Sequence, residues 1–125
     1  MLHEDLVSSV FQRACEALGE RGITFRVMQR RAPVNTLKNY SLGYINLKTR
    51  TIALDIFTAK KREPKKISSL LNVIAHEIAH LQKPPYKQFY RFRWINRQHY
   101  PAFYRQVKKN LAKLKDDACL KQWFS

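Results

Sequence analysis

His76 and His80, the ends of His76-Glu77-Ile78-Ala79-His80, sit in a run whose apolar residues Ile67, Leu70, Leu71, Ile74, Ile78 and Leu81 recur at three- and four-residue steps. That period belongs to an amphipathic α-helix, which puts both imidazoles on one face about one turn (~6 Å) apart. Two imidazoles at that spacing can share one zinc ion. Glu77, beside the first of them, can take a proton from a water without using a coordination position. The bland reading is a core helix that happens to carry two surface histidines and a glutamate. It is disfavoured by the flanks, where Val73, Ile74, Ala75, Ile78, Ala79 and Leu81 are all uncharged and extend the stripe.

A catalytic zinc needs a third protein ligand on another element and one open position. Downstream of His80 there is no glutamate; the only carboxylates are Asp116 and Asp117, and the only histidine is His99. His99 precedes Tyr100-Pro101, at the start of a last helix, and from there it can turn back over the motif helix. The sequence therefore predicts metal ligands His76, His80 and His99, catalytic Glu77 and a Zn2+ cofactor, with Asp116 or Cys119 as the substitute third ligand. His3, alone near the N-terminus, reads as incidental. Asp55 is open to two roles, orienting a ligand imidazole or capping a hairpin.

The rest of the chain reads as the frame around that helix. From Glu4 to Leu18 the residues Leu6, Val7, Val10, Phe11, Ala14 and Leu18 mark a first helix, ended by Gly19 and Gly22. Ile23 to Met28 alternates as a strand buried on one face. A polar connection containing Pro33 and Asn35 leads to Gly43–Phe57, which reads as a hairpin turning around Lys48-Thr49-Arg50. Its turn has no Asn-Gly or Asp-Gly, so a connection longer than two residues fits. A polar break from Lys60 to Lys66 precedes the motif helix, and Pro84 and Pro85 stop it. Between Tyr86 and Gln98 the residues Tyr90, Phe92 and Trp94 alternate as on one short strand. Pro101 suits the first turn of the last helix, along which Phe103, Val107, Leu111 and Leu114 repeat. Segregated helices and strands predict an α+β fold in one domain spanning 1–125, with the helices on one sheet face.

Composition narrows the setting. No apolar run approaches the ~18–20 residues that cross a bilayer, and the start lacks the order of a secretory signal, so the expectation is a cytoplasmic protein with no membrane partner. Cys15 and Cys119, far apart, suit free buried thiols in a reduced compartment better than a disulfide framework. Twenty-four Lys and Arg against nine Asp and Glu give a net charge of +15. Such a surface attracts polyanions, DNA or RNA first, while the bland reading is that it keeps the protein soluble.

Ile74-Ala75-His76-Glu77-Ile78-Ala79-His80-Leu81, followed by His99-Tyr100-Pro101-Ala102-Phe103-Tyr104, resembles the SprT-like and WLM (YgjP-type) metallopeptidases over roughly Leu42 to Leu114. Leu42 to Leu54 also resembles the hairpin before the motif helix in those proteins and in the minigluzincins. The resemblance implies a minimal zincin-like domain: an N-terminal helix, a small, mostly antiparallel sheet of three to four strands, the His-Glu-x-x-His helix and a C-terminal helix. It further implies a third histidine ligand and a peptide or protein substrate lying along an edge strand. The interval from His80 to His99 is longer than in the YgjP type, and the glutamate expected of a minigluzincin is missing.

The function so implied is zinc-dependent peptide hydrolysis, on nucleic-acid-associated proteins if the basic surface selects them. Tyr86, Tyr100 and Tyr104 are candidates for a second oxyanion donor. Lys87 to Trp94 reads either as a stacking surface for bases or as aromatics that anchor a loop to the core or form a substrate pocket. Leu120 to Ser125 either occludes the site or packs on the first helix. The competing classes are a nucleic-acid-binding module with an inactive or structural site, and a zinc hydrolase acting on a non-peptide substrate.

Overall fold

The computed structural model of the chain describes residues 2–28, 43–58 and 61–124. The connection with Pro33 and Asn35, residue Leu42, Lys60 and the terminal Ser125 lie outside them. The order is α1 (Leu2–Ala17), β1 (Thr24–Val27), β2 (Gly43–Asn46), β3 (Thr51–Leu54), α2 (Ile67–Gln82), β4 (Tyr86–Tyr90), β5 (Arg93–Arg97) and α3 (Pro101–Asp116), followed by a 3-10 turn, Lys121–Phe124. This is the expected α+β class, and none of the described helices is long and apolar enough to cross a membrane.

Helix α1 stops where its sequence turns to glycine. Gly19 takes φ +70°, and the N–H groups of Gly19 and Glu20 donate back to the carbonyls of Glu16 and Cys15, closing the last turn. The chain then enters the edge strand β1. In the sheet, ordered β1-β3-β2, the central β3 runs antiparallel to β2 and parallel to β1. The register puts Phe25, Ile52 and Ile45 on one face, which meets the apolar stripes of α1 and α2 in a single core. Phe11 of α1 stacks on Phe25 at 5.0 Å, so the helices lie on that face as the alternation requires.

The β2–β3 connection is four residues, Leu47 to Arg50. It is tightened by Asn46 Oδ1, which accepts from the N–H groups of Lys48 and Thr49 at 3.0 and 3.2 Å. At the far end of β3, Asp55 is fully buried. Its carboxylate takes a fork from Arg62 at 2.8 and 3.0 Å and accepts from the Phe57 N–H at 3.2 Å. Of the two roles open to Asp55, capping the hairpin's end is the one this geometry fills. His3 is not incidental: its Nε2 is 3.0 Å from the Ile56 carbonyl oxygen, which ties α1 to the same loop.

Two expectations change. The stretch after Pro85 is a pair of strands, with Tyr90 opposite Arg93 and Arg91-Phe92 as a two-residue turn. Both turn residues have positive φ, 50° and 63°, a conformation that favours Asn-Gly and costs a substituted residue about 1 kcal/mol. The second change concerns the C-terminus. Leu120 is buried, Trp123 and Phe124 pack against the core, and the 3-10 turn rests on α2 and α3. Arg13 of α1 holds Asp117 at 2.6 and 3.1 Å. Cys15 is free and buried as expected; Cys119 is free but exposed.

Candidate metal centre

Helix α2 presents His76 and His80 on one side, one turn apart, with ring centroids 5.1 Å from one another. His99, just before α3, brings its ring to 5.2 Å from His76 and 4.9 Å from His80. One ligand nitrogen from each of the three lies within 4.8 Å of the others, close enough to share a cation. Among the described residues this is the one such group, and neither Asp116 nor Cys119 joins it.

Phe103, fully buried on the first turn of α3, is the floor beneath all three rings. It stacks on His80 at 4.4 Å and meets His76 and His99 edge-on at 5.0 and 5.1 Å. Sequence reading placed Phe103 in a helical stripe and missed this contact. Its position two residues after Pro101 gave no hint, because the contact exists only once α3 docks on α2. Tyr104 stacks on His99 at 6.1 Å, and the Tyr100 hydroxyl donates to the Pro84 carbonyl at 2.9 Å.

Glu77 faces a cleft of about 390 Å³ lined also by Gly43, Tyr44, Leu47, Pro85 and Gln98, together with the three histidines. Only 7% of Glu77 is exposed, and none of the described residues donates a hydrogen bond to its carboxylate. Burial therefore pushes its pKa up to about 7, where a carboxylate exchanges protons most readily at neutral pH. Burial, and then the neighbouring His76 and His99, push His80 down to about 4; burial and His99 also lower His76. Near neutrality these two imidazoles are accordingly unprotonated, with lone pairs free for a metal. The donor set, three borderline nitrogens with no carboxylate among them, fits zinc and its late-transition-metal neighbours.

Gly43 brings β2 against this helix. A methyl group on its Cα would lie 2.8 Å from Leu54 Cδ2, 2.9 Å from the Ala53 carbonyl oxygen and 3.2 Å from Val73 Cγ1. Only glycine lets β2 lie this closely against β3 while it also rests on Val73 of α2, and that seating makes β2 a wall of the cleft. The C-terminal residues Leu120 to Phe124 do not line it.

No family model matches this sequence, and no curated protein matches it. Among solved structures, the crystal structure of the metallopeptidase zymogen of Pyrococcus abyssi, abylysin, matches 94% of this chain and 87% of that one, with a TM-score of 0.50 and 19% identity. The likeness is one of fold. The two chains share an α+β fold over most of their length, and in this one the three histidines and Glu77 are gathered in one cleft.

Proposed function

We propose that the chain is a zinc-dependent metallopeptidase in which His76, His80 and His99 hold the ion and Glu77 is the catalytic base. The observation that carries this reading is the coincidence of three clustered imidazoles with a buried carboxylate that has no partner among the described residues, all facing one cleft. Held there, zinc would supply Lewis acidity toward a peptide carbonyl and lower the pKa of a water toward ~7.

The chain's own residues do the rest. Glu77 accepts the proton of the attacking water and passes it to the leaving amine, a task suited to a group poised at about 7. Phe103 holds the three rings in one arrangement, so the site is preorganised. Substrate peptide lies along β2, the outer strand of the described sheet, whose Gly43, Tyr44 and Ile45 face the cleft. Of Tyr100 and Tyr104, Tyr104, stacked on His99, is the better placed to support the developing oxyanion, because the Tyr100 hydroxyl is already committed to Pro84.

A SprT-like or WLM placement rests on the motif residues themselves, and a cytoplasmic location on the two free cysteines. The decisive experiment is Glu77→Gln, assayed for zinc content and for cleavage of casein. The expected outcome is zinc retained at wild-type stoichiometry with turnover reduced by roughly 100-fold or more. A fully active variant would remove Glu77 from the chemistry.

A further inference from the structure

Beyond its root, where the Tyr86 ring meets Tyr100 at 5.0 Å, the β4–β5 hairpin has no partner in the described fold. Its strands pair with one another and pack on no other described helix or strand. Phe92, at the tip, is 95% exposed; Trp94 and Phe89, paired across the strands with ring centroids 5.3 Å apart, are 68% and 58% exposed. Lys87, Arg91, Arg93 and Arg97 are interleaved with these rings, and between Glu77 and Asp116 the sequence holds no acidic residue.

Folding does not explain that choice of residues. Arg91 and Phe92 occupy the two positive-φ positions of a tight turn, which glycine and asparagine fill at less cost, and Phe92 finds no ring to pack on among the described residues. Exposed rings on a strained turn are a feature that stability alone would not retain. Their shape decides between the polyanions that a basic surface attracts. Single-stranded nucleic acid is held in a groove that tracks the backbone while bases stack along it. Here the rings stand at the apex and on one side of a projecting arm, with cations around them. That arrangement suits a lipid interface, where phenyl and indole rings enter the headgroup boundary and flanking Arg and Lys meet anionic lipid.

We propose that this hairpin docks the protein on an anionic bilayer surface, with Phe92 and Trp94 inserted at the headgroup boundary and Lys87, Arg91, Arg93 and Arg97 on the lipid phosphates. The absence of a spanning helix among the described residues bears on crossing a membrane and says nothing against lying on one. Because the hairpin joins His80 to His99, docking sets the cleft close to the lipid, within reach of membrane-proximal peptide segments.

The test is co-sedimentation of the whole chain with phosphatidylcholine vesicles, with and without phosphatidylglycerol, and with a single-stranded oligothymidylate as rival probe. Binding to the anionic vesicles only, weakened by salt, is expected, with a blue shift of tryptophan emission and quenching by lipids brominated near the headgroup. Phe92→Ala should weaken binding roughly tenfold, and Arg91→Gln with Arg93→Gln roughly fivefold for each charge removed. Both changes lie on exposed positions, and the quenching readout needs no variant at all. Absence of vesicle binding, indifference to Phe92→Ala, or capture by the oligonucleotide in place of vesicles would each overturn the proposal. No substrate enters the assay, so either outcome leaves the hydrolytic reading to its own experiment.

Discussion

Asn110 Nδ2 lies 3.0 Å from the Ala75 carbonyl oxygen, so a fully buried amide on α3 donates to the backbone of α2 one residue before His76. The same amide donates to Gln82 Oε1 at 2.7 Å, and Asn110 Oδ1 accepts from Gln106 at 3.0 Å. The bond thus clamps the helix that carries two imidazoles to the helix whose entrance carries the third. Replacing Asn110 by Leu should cost about 1–3 kcal/mol, because the Gln82 and Gln106 side chains lose a buried partner. Zinc affinity should fall with it. Urea denaturation and a zinc competition titration on the same protein separate the two effects, and an unchanged affinity in a destabilised variant would limit Asn110 to folding.

Metal removal gives a second expectation. His99 is exposed and joins the cluster only through its ring, so His99→Ala should fold and lose its zinc on dialysis against a weak chelator, while wild type keeps one ion per chain. Elemental analysis reads this directly. Retention of zinc by the variant would mean that another residue supplies the third ligand.

Acid should act on the metal-free protein through groups of opposed sign. His80, held at about 4 when folded against an ordinary 6.5, binds fewer protons folded than unfolded, so its contribution to stability is lost as pH falls from about 6.5 to about 4. Glu77 has the reverse sign: held at about 7 against 4.5, it binds more protons folded, and folding gains as pH falls through that window. His76, lowered by burial and by His99, adds to the loss, and Glu77 offsets part of it in wild type. Metal-free Glu77→Gln should therefore lose stability more steeply than wild type between about pH 6.5 and about pH 4. Urea midpoints measured at steps across this range would show it, and parallel profiles would contradict the assignment of either shift.

Gly43→Ala tests the seating of β2 in the cleft wall. The added methyl meets Leu54 Cδ2 and the Ala53 carbonyl of β3 under 3.0 Å, so β2 must shift against β3, at about 1–3 kcal/mol. The three histidines lie on other elements, so zinc content should stay while KM rises. A variant with wild-type KM would mean that peptide does not use this wall.

What the sequence showed plainly was whatever depends on local spacing. The helical period around His76 and His80 places both imidazoles on one face without reference to the rest of the fold, and scarcity of candidates after His80 leaves His99. The rest needed tertiary contact. The parallel pairing of β1 with β3 joins segments far apart in sequence, and the Phe103 floor exists only after two helices dock. The β4–β5 turn was hidden for a different reason: its aromatic alternation runs straight through Arg91-Phe92, two residues that carry no turn signal, so two strands read as one.

The hydrogen bond from Tyr100 to Pro84 has a consequence for how such a chain can change. It closes at its neck the excursion between two positions 16 apart in sequence, immediately after the motif helix and immediately before Pro101. An appendage tied at its root is a cassette. Its length and residues can be exchanged for others while the neck keeps His99 over α2, so the exposed hairpin and the three-histidine cluster are free to evolve separately.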